Sequence, residues 1–103
     1  MICRGYLKHL NRHLTNRQKV RAGIRYLDKI YTRKVWRPKV KLKTLNVNNP
    51  TQCLLGQTGS HYITHIRKLG LSESQAVELG FNSETGEDFP ALDAAWKKEL
   101  RNL

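Results

Sequence analysis

The sequence predicts a mainly α-helical fold, a compact bundle of four to six short helices. Apolar residues recur at helical spacing over most of the chain. Two stretches match the capping box that opens many helices, and glycines or prolines stand where the helical patterns stop. A chain of 103 residues has the length of one domain, so we expect residues 1–103 to form a single core.

The first two segments predict helices. Apolar residues four apart share one helix face, and the first segment has four of them: Ile2, Tyr6, Leu10 and Leu14. Thr15-Asn-Arg-Gln18 then matches a capping box and predicts a second helix over about 16–32. Its apolar stripe consists of Val20, Ile24, Leu27 and Tyr31, with Gly23 and Ile30 at the edge. The far side is basic, so this helix is amphipathic.

The segment after the second helix changes character. Pro38 blocks a continuing helix, and Lys39-Val-Lys-Leu-Lys43 alternates strictly. We therefore expect a short strand or an extended connector near 39–47, which Leu45 and Val47 anchor to the core. Asn48-Asn49-Pro50 predicts a turn and a helix start, with Asn49 as the cap.

The remaining pattern predicts further helices. Helical spacing runs over about 50–69, with a break near 57–60, Ser60 capping the second piece and Gly70 ending it. Ser72-Glu-Ser-Gln75 is the second capping box and predicts a short helix to Leu79, ended by Gly80. A polar, acidic loop over 82–88 precedes a last helix, about 90–102. One face of that helix carries Leu92, Trp96, Leu100 and Leu103.

The net charge of +11 is distributed unevenly along the chain. Residues 1–44 hold 14 Lys or Arg and one acid, whereas residues 45–103 hold five Lys or Arg and seven acids. Such asymmetry favours a surface for a polyanion. The alternative is a basic half that only keeps the protein in solution.

Thirteen cations form the candidate binding surface for nucleic acid or another acidic partner. They are Arg4, Lys8 and Arg12 in the first segment; Arg17, Arg21, Arg25 and Lys29 in the second; and Arg33, Lys34, Arg37, Lys39, Lys41 and Lys43 in the connector. Rows of like charge at i,i+4 repel one another, and an acidic partner would offset that cost. Tyr31 and Trp36 lie within this stretch; we expect Tyr31 in the core and leave Trp36 open between core and base stacking.

The spacing of the histidines and cysteines raises the possibility of a metal site or a nucleophile. His9/His13 and His61/His65 have the i,i+4 spacing of metal ligands, completed on paper by Cys3 or Cys53. Neither pair carries the His-Glu-x-x-His signature and no Cys-x-x-Cys occurs, so we expect no metal and no other cofactor. Protonated His9 and His13 would instead extend the basic face.

The same residues suggest a nucleophile only on paper. Cys53 could pair with His61 or His65, but it stands in an apolar run that favours a buried, inert thiol. We therefore expect no enzymatic activity.

Ser72–Phe81 resembles the start of a helix-turn-helix, but acidic residues follow where a recognition helix should run.

The order of several residues resembles a group of small, uncharacterised proteins from actinobacterial phages. The matching positions are Arg21-Ala22, Tyr26-Leu-Asp28, Trp36, Leu45-Asn46, Cys53-Leu-Leu-Gly-Gln57, Tyr62, Leu69-Gly-Leu71, Ala76, Leu79-Gly-Phe81, Leu92 and Ala95-Trp96. They cover roughly residues 20–98, and the Cys-x-Leu-Gly-Gln core, the Gly-Phe and the late Trp are the most specific. Residues 1–19 have no counterpart there, and the lysine-rich connector tends to be acidic in that group. The resemblance implies a phage accessory protein in the bacterial cytoplasm.

Two functions follow as expectations. The first is a nucleic-acid binder that contacts mostly phosphates and reads little sequence. The alternative is a phage-encoded inhibitor that binds an acidic surface of a host protein, such as a defence nuclease or the transcription machinery. No apolar run approaches the ~20 residues that span a bilayer, and no secretory signal is evident, so we expect a cytoplasmic protein without membrane contact.

Overall fold

The computed structural model describes residues 14–103, which form six α-helices and one 3-10 helix and contain no strand. The elements in chain order are α1 (Asn16–Tyr31), α2 (Arg33–Trp36), the 3-10 helix (Arg37–Lys39), α3 (Leu54–Thr58), α4 (Tyr62–Leu69), α5 (Glu73–Glu78) and α6 (Phe89–Arg101). The mainly α fold class is confirmed. The helix predicted from Ile2, Tyr6 and Leu10 lies outside the described residues.

Helix α1 begins at the predicted capping box and forms the centre of the fold. The Gln18 amide donates to Thr15 Oγ1 at 3.1 Å, and the Thr15 amide donates to Gln18 Oε1 at 2.8 Å. The predicted stripe Val20, Ile24 and Leu27 is buried. Together these contacts fix where α1 starts and which face it turns towards the core.

Helices α1 and α6 make the most extensive helix pairing among residues 14–103. Gly23 is buried and does not lie at the edge of the stripe. A Cβ built at this position would lie 2.2 Å from the Leu79 carbonyl oxygen and 2.9 Å from the Trp96 ring. Trp96 is fully buried, donates its indole N–H to the Gly80 carbonyl at 2.6 Å, and stacks on Phe81. A glycine at position 23 therefore permits the close approach of α1 to Trp96 and the Leu79 carbonyl.

Helix α6 ends one residue earlier than predicted, and this corrects one core assignment. It runs from Phe89 to Arg101 and buries Leu92 as expected. Leu103, however, is 60% exposed. The predicted stripe was wrong at this position because the helical turn that would carry Leu103 to the buried face is not formed.

Trp36 belongs to the core. It is 1% exposed and donates its indole N–H to Asp28 Oδ1 at 2.8 Å. The chain reverses between α1 and α2 at Thr32, whose φ of 61° is unusual for a β-branched residue. That reversal brings Trp36 back against α1, so the question that the sequence left open is answered in favour of packing.

The predicted strand near 39–47 does not form, and the segment is an irregular connector. A turn closes where the Thr44 amide donates to the Lys41 carbonyl at 3.2 Å. Val40 and Leu42 still pack partly against the core, and Leu45 and Val47 are buried as expected. The alternating pattern therefore marked which side chains face inward, although no partner strand is available in residues 14–103.

The Gln57 side chain holds this connector in place. Its oxygen accepts from the Lys41 amide at 2.6 Å, and its nitrogen donates to the Lys41 carbonyl at 3.3 Å and the Gln52 carbonyl at 3.0 Å. A single amide side chain thus supplies the backbone partners that a neighbouring strand would have supplied.

The predicted helix start at Asn49-Pro50 lies four residues too early. Asn49 Oδ1 instead accepts from the amides of Thr51 and Gln52, which closes a turn, and α3 begins at Leu54 with Cys53 as its cap. The break predicted near 57–60 is present. Its second piece, α4, is capped by His61 rather than by Ser60.

The predicted helix ends at Gly70 and Gly80 and the second capping box are confirmed. Gly70 ends α4 in the left-handed conformation with φ of 70°. Ser72 and Gln75 exchange the two capping bonds that open α5, and Gly80 with φ of 75° follows its end. Residues 81–88 form no helix before α6 begins. No helix in residues 14–103 is long and apolar enough to cross a membrane.

Candidate polyanion-binding cleft

An open cleft of about 460 Å³ lies along α1, against α2, the 3-10 helix and the end of α6. Its lining contains six cations: Arg17, Arg21, Arg25, Arg33, Arg37 and Lys98. The arginines of α1 are four residues apart, so they follow one side of the helix, and the packing of α6 on α1 brings Lys98 opposite them. We refer to this site as the arginine cleft.

Glu99 holds two of these arginines. Its carboxylate accepts from Arg21 Nε at 2.7 Å and lies 3.9 Å from Arg17 Nε. The Arg21 side chain nevertheless remains 48% exposed, whereas Glu99 is 12% exposed. The hydrogen bond from Arg21 lowers the pKa of Glu99 despite the opposing effect of burial. Glu99 therefore orients Arg21 without removing it from solvent.

Asp28 holds the opposite wall of the cleft. Its Oδ2 accepts from Arg37 Nη2 at 2.8 Å while its Oδ1 accepts the Trp36 indole N–H. The Arg37 guanidinium also lies 5.6 Å from the centre of the Trp36 ring, within the range of a cation–π contact. The one acid of the basic half thus ties Trp36 and Arg37 to α1.

Arg25 and Arg33 are exposed and form no ion pair with any acid in residues 14–103. The lining as a whole sets six cations against the two carboxylates of Asp28 and Glu99. Guanidinium groups bind oxyanions through two parallel hydrogen bonds. A cleft with oriented and unpaired arginines side by side is suited to contact successive phosphates.

The structure brings together only part of the predicted binding surface. Lys29, Lys34, Lys41 and Lys43 are exposed but do not line the arginine cleft. Lys39 lines a different cleft. Arg4, Lys8 and Arg12 lie outside the described residues. The cations of the connector separate because the chain turns away from α1 after the 3-10 helix and is held by Gln57.

Lys98, Glu99 and Asn102 line the cleft and were absent from the predicted site. Lys98 and Glu99 lie in α6 and Asn102 is its C-cap, so only the packing of α6 on α1 places them there. One local signal existed for Glu99: it lies three residues after Trp96, so it shares a helix side with a residue of the buried stripe. An acid in that position is placed to meet a cation of the neighbouring helix.

The His61/His65 pair does not converge on a common site. His61 Nδ1 accepts a hydrogen bond from the Ile63 amide at 3.3 Å. His65 is buried and is hydrogen-bonded to the Leu55 carbonyl and the Tyr31 hydroxyl. Within residues 14–103, no group of three or more His, Cys, Asp or Glu is arranged to hold a metal. His9, His13 and Cys3 lie outside the described residues.

Cys53 has the environment of a structural thiol. It is 2% exposed, and its sulfur accepts from the Gly56 amide at 3.3 Å as the cap of α3. Burial raises the pKa of the Cys53 thiol, which disfavours the nucleophilic thiolate. Neither His61 nor His65 is hydrogen-bonded to this sulfur, so the paired nucleophile and base weighed from the sequence are not brought together.

Comparisons with protein-family models, with curated proteins and with solved structures found no match to this chain. The resemblance to phage proteins over residues 20–98 therefore stays a prediction.

Proposed function

We propose that this protein is a non-enzymatic phage accessory protein that binds nucleic acid through phosphate contacts in the arginine cleft. One observation carries the proposal: six cationic side chains and only two acidic side chains, Asp28 and Glu99, line a single open cleft. The bacterial cytoplasm is the proposed location, and the resemblance over residues 20–98 supports the phage origin. The excess of positive charge favours a polyanion, and closely spaced phosphates supply one.

The cleft contains two kinds of cation with different tasks. Arg21 and Arg37 are oriented by carboxylates before any partner arrives, which lowers the entropy lost on binding. Arg25 and Arg33 are not paired with an acid of residues 14–103 and can each take a phosphate directly. Lys98 adds a mobile point charge from α6.

The lining favours phosphate contacts over base readout. No aromatic residue of the described chain lines the arginine cleft, and the buried Trp36 is not available to stack on a base. Phosphate contacts position a duplex or a strand but carry no sequence information. We therefore expect weak sequence preference and a log–log salt slope of roughly −3 to −5, for three to six phosphates contacted.

The test is fluorescence anisotropy with a duplex DNA, a single strand and an RNA hairpin over a range of salt concentrations. The variant is Arg25→Gln with Arg33→Gln, because neither side chain has an ion pair whose loss would disturb the described fold. The matched control is Lys41→Gln with Lys43→Gln, which removes the same charge outside the cleft.

We expect the cleft variant to bind about tenfold more weakly at low salt, with a slope shallower by about 2, and the control to change much less. Equal losses in both variants would show diffuse attraction and contradict a role for the cleft. Binding that is insensitive to salt would overturn the phosphate mechanism.

The alternative function is inhibition of a host protein through an acidic surface of that protein. It would be supported if none of the nucleic acids bound and if a nuclease-treated pulldown recovered one stoichiometric host protein. Loss of that protein with Arg25→Gln and Arg33→Gln, but not with the lysine control, would place it on the arginine cleft.

A further inference from the structure

A second cleft, of about 280 Å³, lies between the end of α1, the 3-10 helix and α4. We refer to this site as the histidine cleft, and its lining includes Tyr31, Lys39, Gly59, Ser60, His65 and Lys68. Two lysines line it, and no carboxylate of residues 14–103 does. Its charge is therefore positive and, unlike that of the arginine cleft, not offset by acids.

His65 is fixed on both sides of its ring. It is 1% exposed, its Nδ1 lies 2.8 Å from the Leu55 carbonyl oxygen, and its Nε2 lies 2.7 Å from the Tyr31 hydroxyl. Because a carbonyl oxygen only accepts, Nδ1 must carry a hydrogen. In the neutral ring Nε2 then accepts, and the Tyr31 O–H is donated inward to it.

The direction of that bond decides what Tyr31 presents to the cleft. With neutral His65, the Tyr31 oxygen has only lone pairs to offer, which repel an anion. When a proton from solvent adds to Nε2, the imidazolium donates to the Tyr31 oxygen, and the Tyr31 O–H becomes free to donate into the cleft. No other hydrogen bond changes. Protonation of the buried His65 ring thus turns the Tyr31 hydroxyl into a hydrogen-bond donor at the surface of the cleft.

The surrounding groups suit an anion that accepts this hydrogen. Lys39 from the 3-10 helix and Lys68 from α4 are the charged groups that line the cleft. Helix α3 contributes the Leu55 carbonyl and Thr58, whose hydroxyl donates to the Leu54 carbonyl at 2.7 Å. The Ser60 hydroxyl has no hydrogen-bond partner within residues 14–103 and adds a donor beside them. An anion placed there also offsets the repulsion between the lysines and an imidazolium.

We propose that the histidine cleft binds a tetrahedral oxyanion of the phosphate class, between Lys39 and Lys68, and that Tyr31 couples its binding to the protonation of His65. Anion and proton then favour each other's binding by the same factor. The anion can be free phosphate or a terminal phosphate of a nucleic acid. None of these residues lines the arginine cleft, so this site does not depend on the function proposed above.

The test is NMR titration of the full chain with sulfate at about pH 5 and at about pH 8, because sulfate keeps the same charge at both. We expect shifts in the His65 ring and the Lys68 amide, and affinity at least about fivefold higher at the lower pH. Lys39→Gln with Lys68→Gln should weaken binding about tenfold, whereas the matched control Lys34→Gln with Lys43→Gln should not.

Tyr31→Phe separates the coupling from simple attraction. It keeps both lysines, so sulfate should still bind at the higher pH, but the gain on acidification should disappear. Equal sulfate affinity in the two double lysine variants would overturn the site. A pH dependence unchanged in Tyr31→Phe would overturn the coupling. Lys39 and Lys68 are exposed, so their replacement leaves the fold in place and the first comparison stands on its own.

Oligonucleotides with and without a 5′-phosphate distinguish the source of the anion. They are tested in the Arg25→Gln and Arg33→Gln background, so that a failure of the arginine cleft does not affect the result. A preference for the phosphorylated strand that is lost with Lys39→Gln and Lys68→Gln identifies a nucleic-acid end. Binding of inorganic phosphate without that preference identifies free phosphate; both results support the site.

Discussion

The arginine cleft and the histidine cleft both collect positive charge, but they control it differently. In the arginine cleft, the carboxylates of Asp28 and Glu99 orient two of the guanidinium groups by direct hydrogen bonds. In the histidine cleft no carboxylate takes part, and a buried His65–Tyr31 pair faces the lysines. Ion pairs orient arginines of the first cleft at neutral pH, whereas we propose that the hydrogen-bond donors of the second change when His65 is protonated.

The two clefts share one wall. Arg37 and Lys39 are two residues apart in the 3-10 helix, yet Arg37 lines the arginine cleft and Lys39 the histidine cleft. Helix α6 serves only the first cleft, and α4 serves only the second. Substitutions that disturb the contacts of α6 should therefore affect the arginine cleft, and those that disturb α4 should affect the histidine cleft. Substitutions in the shared wall can affect both clefts.

Gly23→Ala should have the largest effect and should break the arginine cleft. Its Cβ would meet the Leu79 carbonyl oxygen at 2.2 Å, and that backbone atom cannot rotate away. Because α1 must then separate from α6, we expect about 3 kcal/mol less stability in urea unfolding. Ser74→Ala, exposed on α5, is the control and should change stability little. Wild-type stability in Gly23→Ala would contradict the close approach of α1 to the Leu79 carbonyl and Trp96.

Gly59→Ala should break the histidine cleft while leaving the arginine cleft intact. Its Cβ would lie 2.5 Å from Cε1 of the His65 ring. The ring is buried and held on both sides, so it can move only by losing a hydrogen bond, and we expect a loss of about 2 kcal/mol. The measurement is urea unfolding together with the NMR signals of the His65 ring. Unchanged ring signals would show that the ring has room which the structure does not indicate.

Asp28→Asn tests the shared wall. The amide oxygen can still accept the Trp36 indole N–H, but the charged partner of Arg37 is lost. We expect about 1 kcal/mol less stability and a changed Trp36 fluorescence. Nucleic-acid binding should change little or increase, since one negative charge leaves the arginine cleft. A loss of binding comparable to that of Arg25→Gln with Arg33→Gln would show that orientation of Arg37 outweighs charge.

Glu99→Gln should have the smallest effect on stability, and the measurement is urea unfolding of the wild type and the variant over a range of pH. The folded state lowers the pKa of Glu99 from its ordinary value of 4.5, so its contribution is complete above that value. It is lost as the pH falls through the lowered folded-state pKa. Acid should therefore narrow the stability difference between the wild type and Glu99→Gln. A difference that stays constant down to strongly acid pH would contradict the Arg21 hydrogen bond as its cause.

Local signals in the sequence predicted much of the helical architecture. The capping boxes at Thr15 and Ser72 fixed two helix starts to the residue, because the side chains that cap a helix lie beside it in the chain. Gly70 fixed an end for the same reason. Such signals need no information about distant segments.

The errors occurred where two local structures compete or where tertiary contacts decide. Asn49 can cap a helix or close a turn with equal chemistry, and it closes a turn. Lys39–Lys43 alternates as a strand would, but a strand needs a partner, and Gln57 takes that place. Neither outcome follows from the segment itself.

Only part of the candidate site could be predicted from the sequence, because its remaining residues are brought in by tertiary contacts. The row Arg17, Arg21 and Arg25 follows from helical spacing alone, and the structure confirms that it lies along one cleft. Lys98 and Glu99 enter only through the packing of α6. The lysines of the connector are close to the arginines of α1 in sequence, which predicts one shared surface. The turn that takes these lysines away from the arginine cleft cannot be predicted from that proximity.

The Arg21–Glu99 hydrogen bond joins residues 78 positions apart, so it can form only after α6 has been synthesised. The chain leaves the ribosome from its N-terminus, so the arginines of α1 emerge long before α6 is synthesised. Until then α1 lacks both Trp96 and the carboxylate that orients Arg21. Contacts between such distant segments form late because the intervening loop must close first. The arginine cleft therefore cannot be complete until α6 has packed on α1, and the arginines of α1 leave the ribosome before that.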